Sequence, residues 1–180
     1  GYGADADETK AAEWYRKAAE SDYAPAQFAL GGCYDEGSGV EKDDTKAAEW
    51  YRKAAESGYA PAQFNLGLCY DNGWGVEKDE TKAAEWYEKA AEAGDVPAQF
   101  NLGVCYDNGY GVEKDEVKAV EWYRKAAEEG HAMAQFNLGV CYMNGTGVER
   151  DEAEAVEWYR KAAEQGHEKA GKALEALGIK

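Results

Sequence analysis

Residues 59–94 read YAPAQFNLGLCYDNGWGVEKDETKAAEWYEKAAEAG, and this stretch decides the fold because the same 36-residue pattern returns at 23–58, 95–130 and 131–166. Identical residue types mark the period along the chain: Trp14, Trp50, Trp86, Trp122 and Trp158, together with Cys33, Cys69, Cys105 and Cys141. A fixed period between about 20 and 50 residues is typical of proteins built from stacked repeats. The sequence therefore predicts an all-α solenoid, in which each repeat contacts mainly its neighbours.

Each unit is predicted to contain two helices. The first covers about Pro61–Asn72, and its proline suits the first turn of a helix. The second is expected over Glu80–Glu92, with Asp79 as the N-cap. Gly94 follows this helix and supplies a left-handed stop, as do its equivalents in the other units.

The faces of these two helices have different predicted roles. The core stripe of the first helix consists of Ala62, Leu66, Cys69 and Tyr70. Gly67 is expected to let the two helices approach closely, and Val76 in the connector is expected to fill the core. On the solvated face of the second helix, Glu85 and Lys89 are spaced for an i,i+4 ion pair.

The ends of the chain depart from the full unit. Residues 1–22 form an N-terminal half-repeat with a helix over 4–20, and Gly1-Tyr2-Gly3 matches part of a connector, so the chain is expected to begin inside a repeat. Residues 167–180 imitate a first helix, but Lys172 replaces the phenylalanine and Glu175 replaces the close-packing glycine. The segment is therefore predicted to be a capping helix of one solenoid spanning 1–180.

Composition restricts the classes of partner. The chain has 36 acidic and 20 basic residues, a net charge of −16 that is spread over all units. An evenly acidic surface repels phosphates, which counts against nucleic acid and anionic membranes. No signal peptide or membrane-spanning run is seen in the sequence, and the compartment stays undetermined. The cysteines of neighbouring repeats are expected to be too far apart to pair, and free buried thiols fit a reducing compartment.

The pattern A-x-x-x-L-G-x-x-Y-x-x-G-x-G-V-x-x-D-x-x-K-A-x-x-W-Y-x-K-A-A-x-x-G resembles the Sel-one-like repeat family, relatives of the tetratricopeptide repeats. It runs here from Ala62 to Gly94 and recurs in the other units. The resemblance implies antiparallel helix pairs in a right-handed superhelix with a concave groove, and a non-enzymatic role as an adaptor that brings proteins together. Some cysteine-rich relatives bridge each helix pair with two cysteines per repeat, whereas this chain has one per repeat.

Catalytic and metal sites have little support in the sequence. The only histidines, His131 and His167, occupy a slot that other repeats fill with tyrosine or aspartate, and no nucleophile, base and orienting group are seen together. The acidic loop at 71–80 lacks the alternating ligands of a calcium loop, and helix capping accounts for its residues. We expect no enzyme activity, no metal site and no cofactor.

The candidate site is instead the face of the first helices opposite the core, which the resemblance places in the concave groove. Its predicted members in the first two full repeats are Phe28, Asp35, Phe64, Asn65, Leu68, Asp71, Asn72 and Trp74. The next two repeats supply Phe100, Asn101, Val104, Asp107, Asn108, Tyr110, Phe136, Asn137, Val140 and Met143. Two interpretations of the phenylalanines are open, either groove exposure or packing between repeats. The asparagines suit the backbone of an extended peptide, and the loop aromatics suit binding anchors.

Three hypotheses follow for function. The favoured one is a protein-protein interaction scaffold that binds a peptide or protein segment of basic or mixed charge. The alternative is a structural or engineered array with no dedicated ligand, since units 59–94 and 95–130 differ at only eight of 36 positions. In the third, the Trp14/Tyr15 face of the half-repeat promotes self-association, so that the chain is a monomer or a weak dimer.

Overall fold

The computed structural model describes residues 2–179, with side chains described for 7–179. This range contains ten α-helices and no strand: α1 (Tyr2–Ala19), α2 (Ala24–Glu36), α3 (Asp44–Glu56), α4 (Ala60–Asn72), α5 (Glu80–Glu92), α6 (Val96–Asn108), α7 (Glu116–Glu128), α8 (Ala132–Asn144), α9 (Glu152–Glu164) and α10 (Glu168–Ala176). The predicted fold class is confirmed, because helix pairs repeat every 36 residues and consecutive helices pack on each other from α1 to α5 and from α6 to α10.

The chain divides into two compact units. Unit 1 runs to Asp95 and contains α1 to α5, and its main helix pairs are α2 with α3 and α4 with α5. Unit 2 starts at Val96 and contains α6 to α10, with the pairs α6 with α7 and α8 with α9. The first helix of each pair is called an A helix below, and the second a B helix.

The predicted helix ends are confirmed. The Asp79 side chain accepts a hydrogen bond from the Lys82 backbone N–H at 3.0 Å and caps α5. After α4 the chain turns at Gly73 (φ 74°), and after α5 it turns at Gly94 (φ 91°). Asp22 stands where these stops have glycine and still adopts a left-handed φ of 57°. This conformation is therefore required by the repeat, since even a residue with a Cβ adopts it.

Close packing within a pair depends on Gly67. A Cβ on this residue would lie 2.6 Å from ring carbons of Tyr87 in α5, so only glycine admits the ring. Leu66 and Tyr87 are almost completely buried. Tyr70 and Val76 are half-buried and pack against a neighbouring core cluster. The core is rich in alanine, which allows the helix backbones to approach each other.

The predicted ion pair between Glu85 and Lys89 is wrong: no such pair forms in the described part of the chain. Instead the Lys89 ammonium lies 3.8 Å from the centre of the Trp86 ring. A cation over an indole face is attracted by its quadrupole, and the lysine stem covers apolar surface at the same time. The arrangement recurs in α1 and in the other B helices: Lys17 on Trp14, Lys53 on Trp50, Lys125 on Trp122 and Lys161 on Trp158.

The first and last helices differ from the expected bounds. Helix α1 begins at Tyr2, before the predicted start at residue 4, and Gly1 of the predicted connector match lies outside the described residues. Helix α10 covers only Glu168–Ala176 of the predicted cap, and Lys180 also lies outside the described residues. Ala170 is buried against α9, and Glu175 is exposed.

All four cysteines are free, as predicted. Burial raises the pKa of Cys69 to about 12 and that of Cys141 to about 11, so both remain protonated thiols. In residues 2–179, none of the helices combines the length and the apolar character needed to cross a membrane.

Candidate peptide-binding face

The polar and aliphatic residues predicted for the groove lie on the same side of each A helix. We call this side the A-helix face and describe it separately in each unit. In unit 1 it consists of Asp35 on α2 and Asn65, Leu68 and Asp71 on α4. In unit 2 it consists of Asn101, Val104 and Asp107 on α6 and Asn137, Val140 and Met143 on α8. All of these side chains are half-buried.

Phe28, Phe100 and Phe136 pack against the first residue of the following repeat or cap, which supports the packing interpretation of the two left open by the sequence. Phe28 lies 5.6 Å from Tyr51 of its own pair and 5.5 Å from Tyr59 of the next repeat, measured between ring centres. Phe100 is placed similarly, 6.0 Å from Tyr123 and 4.7 Å from His131. Phe64 and Phe136 also contact the tyrosine of their pair. These rings are therefore mainly structural, and the polar residues dominate the A-helix face.

A tyrosine of the B helix supports two of the three aspartates on this face. The Tyr87 hydroxyl donates to Asp71 Oδ2 at 3.4 Å, and the Tyr123 hydroxyl donates to Asp107 Oδ2 at 3.3 Å. Burial raises the pKa of the Tyr123 hydroxyl, so the group keeps its proton and continues to donate. Asp35 differs, because its carboxylate has no hydrogen bond or ion pair with any described residue.

The exposed asparagines at the ends of the A helices are held by their own helices. Asn72 Nδ2 donates to the Leu68 carbonyl oxygen at 2.9 Å, and Asn108 Nδ2 donates to the Val104 carbonyl oxygen at 2.9 Å. This bond uses one amide hydrogen and orients the side chain. The second amide hydrogen and the side-chain carbonyl remain accessible to a ligand, because both asparagines are exposed.

The loop aromatics stand at the edge of the face. The side chains of Trp74 and Tyr110 are 50% and 49% exposed, unusually high for residues of this size. The loop geometry of Trp74 is fixed on both sides. Its own N–H donates to the Cys69 carbonyl oxygen, and Gly75 (φ 66°) lies so close to the Asp44 carbonyl of α3 that a Cβ would overlap it. The loop after α4 is thereby held against the start of α3.

The two histidines cap helices, a role that the sequence reasoning missed. His131 Nδ1 accepts from the Ala134 N–H at 3.2 Å, and His167 Nδ1 accepts from the Ala170 N–H at 3.3 Å. Burial lowers the pKa of His131, which favours the neutral ring that this bond requires. Their position immediately before each A helix was the available signal. In the described residues, no three His, Cys, Asp or Glu side chains are arranged to hold a metal ion.

The repeat length, the helix pairs and the close-packing glycines define a family of helical repeats. A sequence model of the Sel1 repeat matches residues 1–23, 24–59, 60–95, 96–131 and 132–167. The chain belongs to the Sel1 repeat family. Sel1 repeats generally serve as protein-protein interaction scaffolds and are typically non-enzymatic. A comparison with curated proteins found no significant match.

Several solved structures of Sel1 repeat proteins are similar to this chain. A Sel1 repeat protein from Oxalobacter formigenes is 41% identical with a TM-score of 0.84, over 94% of this chain and 67% of that one. The protective antigen c5321 of uropathogenic Escherichia coli strains, which displays an SLR fold, is 45% identical with a TM-score of 0.88. That match covers 93% of this chain but 37% of the antigen, so this chain spans little more than a third of its length. Cysteine rich protein B of Helicobacter pylori is 32% identical with a TM-score of 0.58, over 74% of this chain and 96% of that one.

Proposed function

We propose that the A-helix face binds an extended segment of a partner protein, in keeping with the scaffold role of Sel1 repeats. One observation carries the proposal. On α4 the aliphatic Leu68 lies half-buried between the Asn65 amide and the Asp71 carboxylate, and the corresponding residues of α6 repeat this order. An apolar contact flanked by a hydrogen-bonding amide and a charge suits a peptide, which offers side chains and backbone groups together.

Charge favours a basic or mixed segment. The face contributes the carboxylates of Asp35, Asp71 and Asp107 to a chain whose net charge is −16. Such a surface attracts cationic segments and repels phosphates, which counts against nucleic acid and anionic membranes as partners. Because these aspartates are partly exposed, binding is expected to weaken as salt is added.

The test uses peptide display. A random peptide library is selected on the wild-type chain and then measured against the double variant Leu68→Lys/Val104→Lys, which removes the apolar contacts of the A-helix face and adds positive charge there. The matched control is Thr81→Lys/Val117→Lys, at exposed and equivalent positions of two B helices. Circular dichroism establishes that all three chains are folded.

We expect selected peptides rich in lysine or arginine to bind the wild type and the control equally and the face variant at least about tenfold more weakly. Peptides that bind all three chains equally, or that are acidic, would contradict the proposal. A library that yields no specific binder would instead favour an array without a dedicated ligand.

A second candidate function is weak self-association through α1. Trp14 is 67% exposed and Tyr15 is 41% exposed, whereas the equivalent Tyr51 and Tyr87 are buried in their pairs. Adjacent exposed aromatics favour association. Sedimentation velocity over a wide concentration range, comparing the wild type with Trp14→Ser/Tyr15→Ser, tests this. Identical monomeric behaviour of both chains would rule it out.

A further inference from the structure

A small cavity opens beneath Trp74 in unit 1. It has a volume of about 80 Å³ and lies between α2, α3, α4 and the loop after α4. A single water needs roughly 10–15 Å³ by the same measure, so the cavity has room for a larger polar group. Its lining residues are Asp35, Asp44, Ala47, Tyr51, Asn65, Leu68, Cys69 and Trp74.

Two carboxylates line this cavity, and their partners are few. Asp35 has no hydrogen bond or ion pair with any described residue, in contrast to Asp71 and Asp107, which accept tyrosine hydroxyls. Asp44 Oδ1 is buried and accepts no hydrogen bond, although the exposed Lys42 ammonium lies 3.4 Å away. Both carboxylates raise the pKa of the Cys69 thiol, on which burial has the larger effect, whereas the Arg52 guanidinium lowers it. The two carboxylates therefore share one cavity, in which Asp44 is paired with Lys42 and Asp35 has no partner.

The other walls are aromatic and polar. Trp74 is held at the cavity mouth by the close approach of Gly75 to the Asp44 carbonyl, and half of the Trp74 side chain is exposed. Burial raises the pKa of the Tyr51 hydroxyl, and the nearby Asn65 amide lowers it to a smaller extent. The pocket thus combines an accessible indole, an unpaired carboxylate and fixed polar groups, and it lacks a cationic side chain among its lining residues.

We propose that this pocket binds an arginine side chain of the partner segment, an assignment that rests on the proposed function of the A-helix face. A planar guanidinium stacks on an indole and donates paired hydrogen bonds to a carboxylate. The compact, strongly hydrated ammonium of lysine matches neither surface as well. Asp35 supplies the counter-charge, and Trp74 supplies the stacking face.

The pocket selects the position of the arginine along the bound segment. Ser38 and Thr146 occupy the place of Trp74 in their own loops, and neither offers an aromatic face. Met143 occupies the place of Asp35 on α8 and has no charge. An aromatic side chain and an unpaired carboxylate are therefore combined where the end of α2 meets the loop after α4.

The experiment titrates N-acetyl-arginine amide into the full chain and follows the Trp74 indole N–H by NMR, assigned with Trp74→Phe. We expect saturable shifts with a Kd in the range of about 1–10 mM, as for a single side chain with few contacts. N-acetyl-citrulline amide has nearly the same shape without the charge and should bind at least about tenfold more weakly. N-acetyl-lysine amide should also bind more weakly than the arginine probe.

The key variant is Asp35→Asn, which keeps the shape of the pocket and removes its unpaired charge. It should weaken the arginine probe at least about tenfold, whereas Glu49→Gln, the same charge change on an exposed residue of α3, should change the Kd less than about twofold. Equal binding of citrulline, tighter binding of lysine, or equal effects of the two variants would overturn the assignment.

The outcomes also separate this assignment from the proposed function. Peptides that depend on Leu68 and Val104 but bind Asp35→Asn unchanged would contradict only the arginine pocket. Binding of the arginine probe at Trp74 without any face-dependent peptide would contradict only the proposed function.

Discussion

The ring of Tyr87 lies so close to the backbone of Gly67 that a Cβ atom on this glycine would be 2.6 Å from two ring carbons. In unit 2, a Cβ on Gly103 would lie 2.6 and 2.7 Å from two ring carbons of Tyr123. The contact is made by the body of the ring, which cannot rotate away inside a buried core. Because glycine has only a hydrogen atom in place of a side chain, the two helices of a pair can pack closely at this position.

We predict that Gly67→Ala destabilises the chain by about 1–3 kcal/mol, because α4 and α5 must move apart. Urea unfolding followed by circular dichroism measures the change. The control is Gly32→Ala in α2, where a Cβ would meet only the Tyr51 hydroxyl oxygen at 3.9 Å. There the gain in helix propensity, up to about 1 kcal/mol, should make the chain equally or more stable. Equal effects at the two sites would disprove the steric explanation.

The buried side-chain oxygen of Gln63 lacks a hydrogen-bond donor, and a single substitution can supply one. Gln135 Oε1 accepts a hydrogen bond from Gln165 Nε2 at 2.8 Å, whereas the equivalent Gln63 Oε1 is buried without one, and Ala93 stands in the place of Gln165. Ala93→Gln is therefore expected to stabilise unit 1 by about 0.5–1.5 kcal/mol, measured by thermal and urea unfolding.

Ala93→Glu is the matched control for this change, because a carboxylate has a similar reach but no hydrogen to donate. It should give no stabilisation. If both substitutions stabilised the chain equally, helix propensity or surface burial would be the cause, and the hydrogen-bond account would fail.

The His131 cap makes stability depend on pH. Burial lowers the pKa of His131 in the folded chain below its usual value of about 6.5, so the unfolded chain takes up the proton first as the pH falls. The stabilising contribution is complete above about pH 6.5 and decreases as the pH drops towards the folded-state pKa. His131→Asn keeps a capping side chain that does not titrate.

Unfolding free energies of both chains should be compared between pH 5 and 8. The difference between wild type and His131→Asn should shift in favour of the variant at the acidic end. A difference that is constant with pH would show that the histidine proton is not coupled to folding.

Thiol reactivity should divide the cysteines into two groups. Cys33 is half-buried, whereas Cys69, Cys105 and Cys141 are buried. With a disulfide reagent at pH 8, Cys33 should react first, and the other three should be at least about tenfold slower because they need a local opening. Cys33→Ser should remove the fast phase and leave the slow one. A fast phase that persists in Cys33→Ser would contradict the burial pattern.

Most of the fold could be predicted because each local signal agrees with the period. Proline and asparagine mark the two ends of α4 and α6, Asp79 caps α5, and the glycine at position 67 is explained by the Tyr87 ring that packs against it. Repetition made these signals unusually clear, since each appears several times along the chain.

The contacts that were missed depend on competition between partners. Lys89 can reach either Glu85 or Trp86, and spacing alone does not reveal that the indole wins. The aromatic stripe of Phe28 is compatible with a groove or with a repeat interface until the rings facing it are placed. The cavity at Trp74 joins residues up to 39 positions apart, from Asp35 to Trp74, on three helices and a loop. The shape of this cavity depends on how the helices and the loop pack together, and the residue pattern of a single helix does not predict that packing.

The approach of Gly75 to the Asp44 carbonyl has a consequence for how this surface changes in evolution or in design. The glycines on either side of Trp74 determine the backbone conformation of the loop, so the side chain between them contributes little to the stability of the fold. The chain already carries serine, tryptophan, tyrosine and threonine at this place, in four loops of the same pattern. Under the proposed function, the residue at this place sets the binding preference of each repeat, so a single substitution per loop changes that preference while the helices are left unaltered.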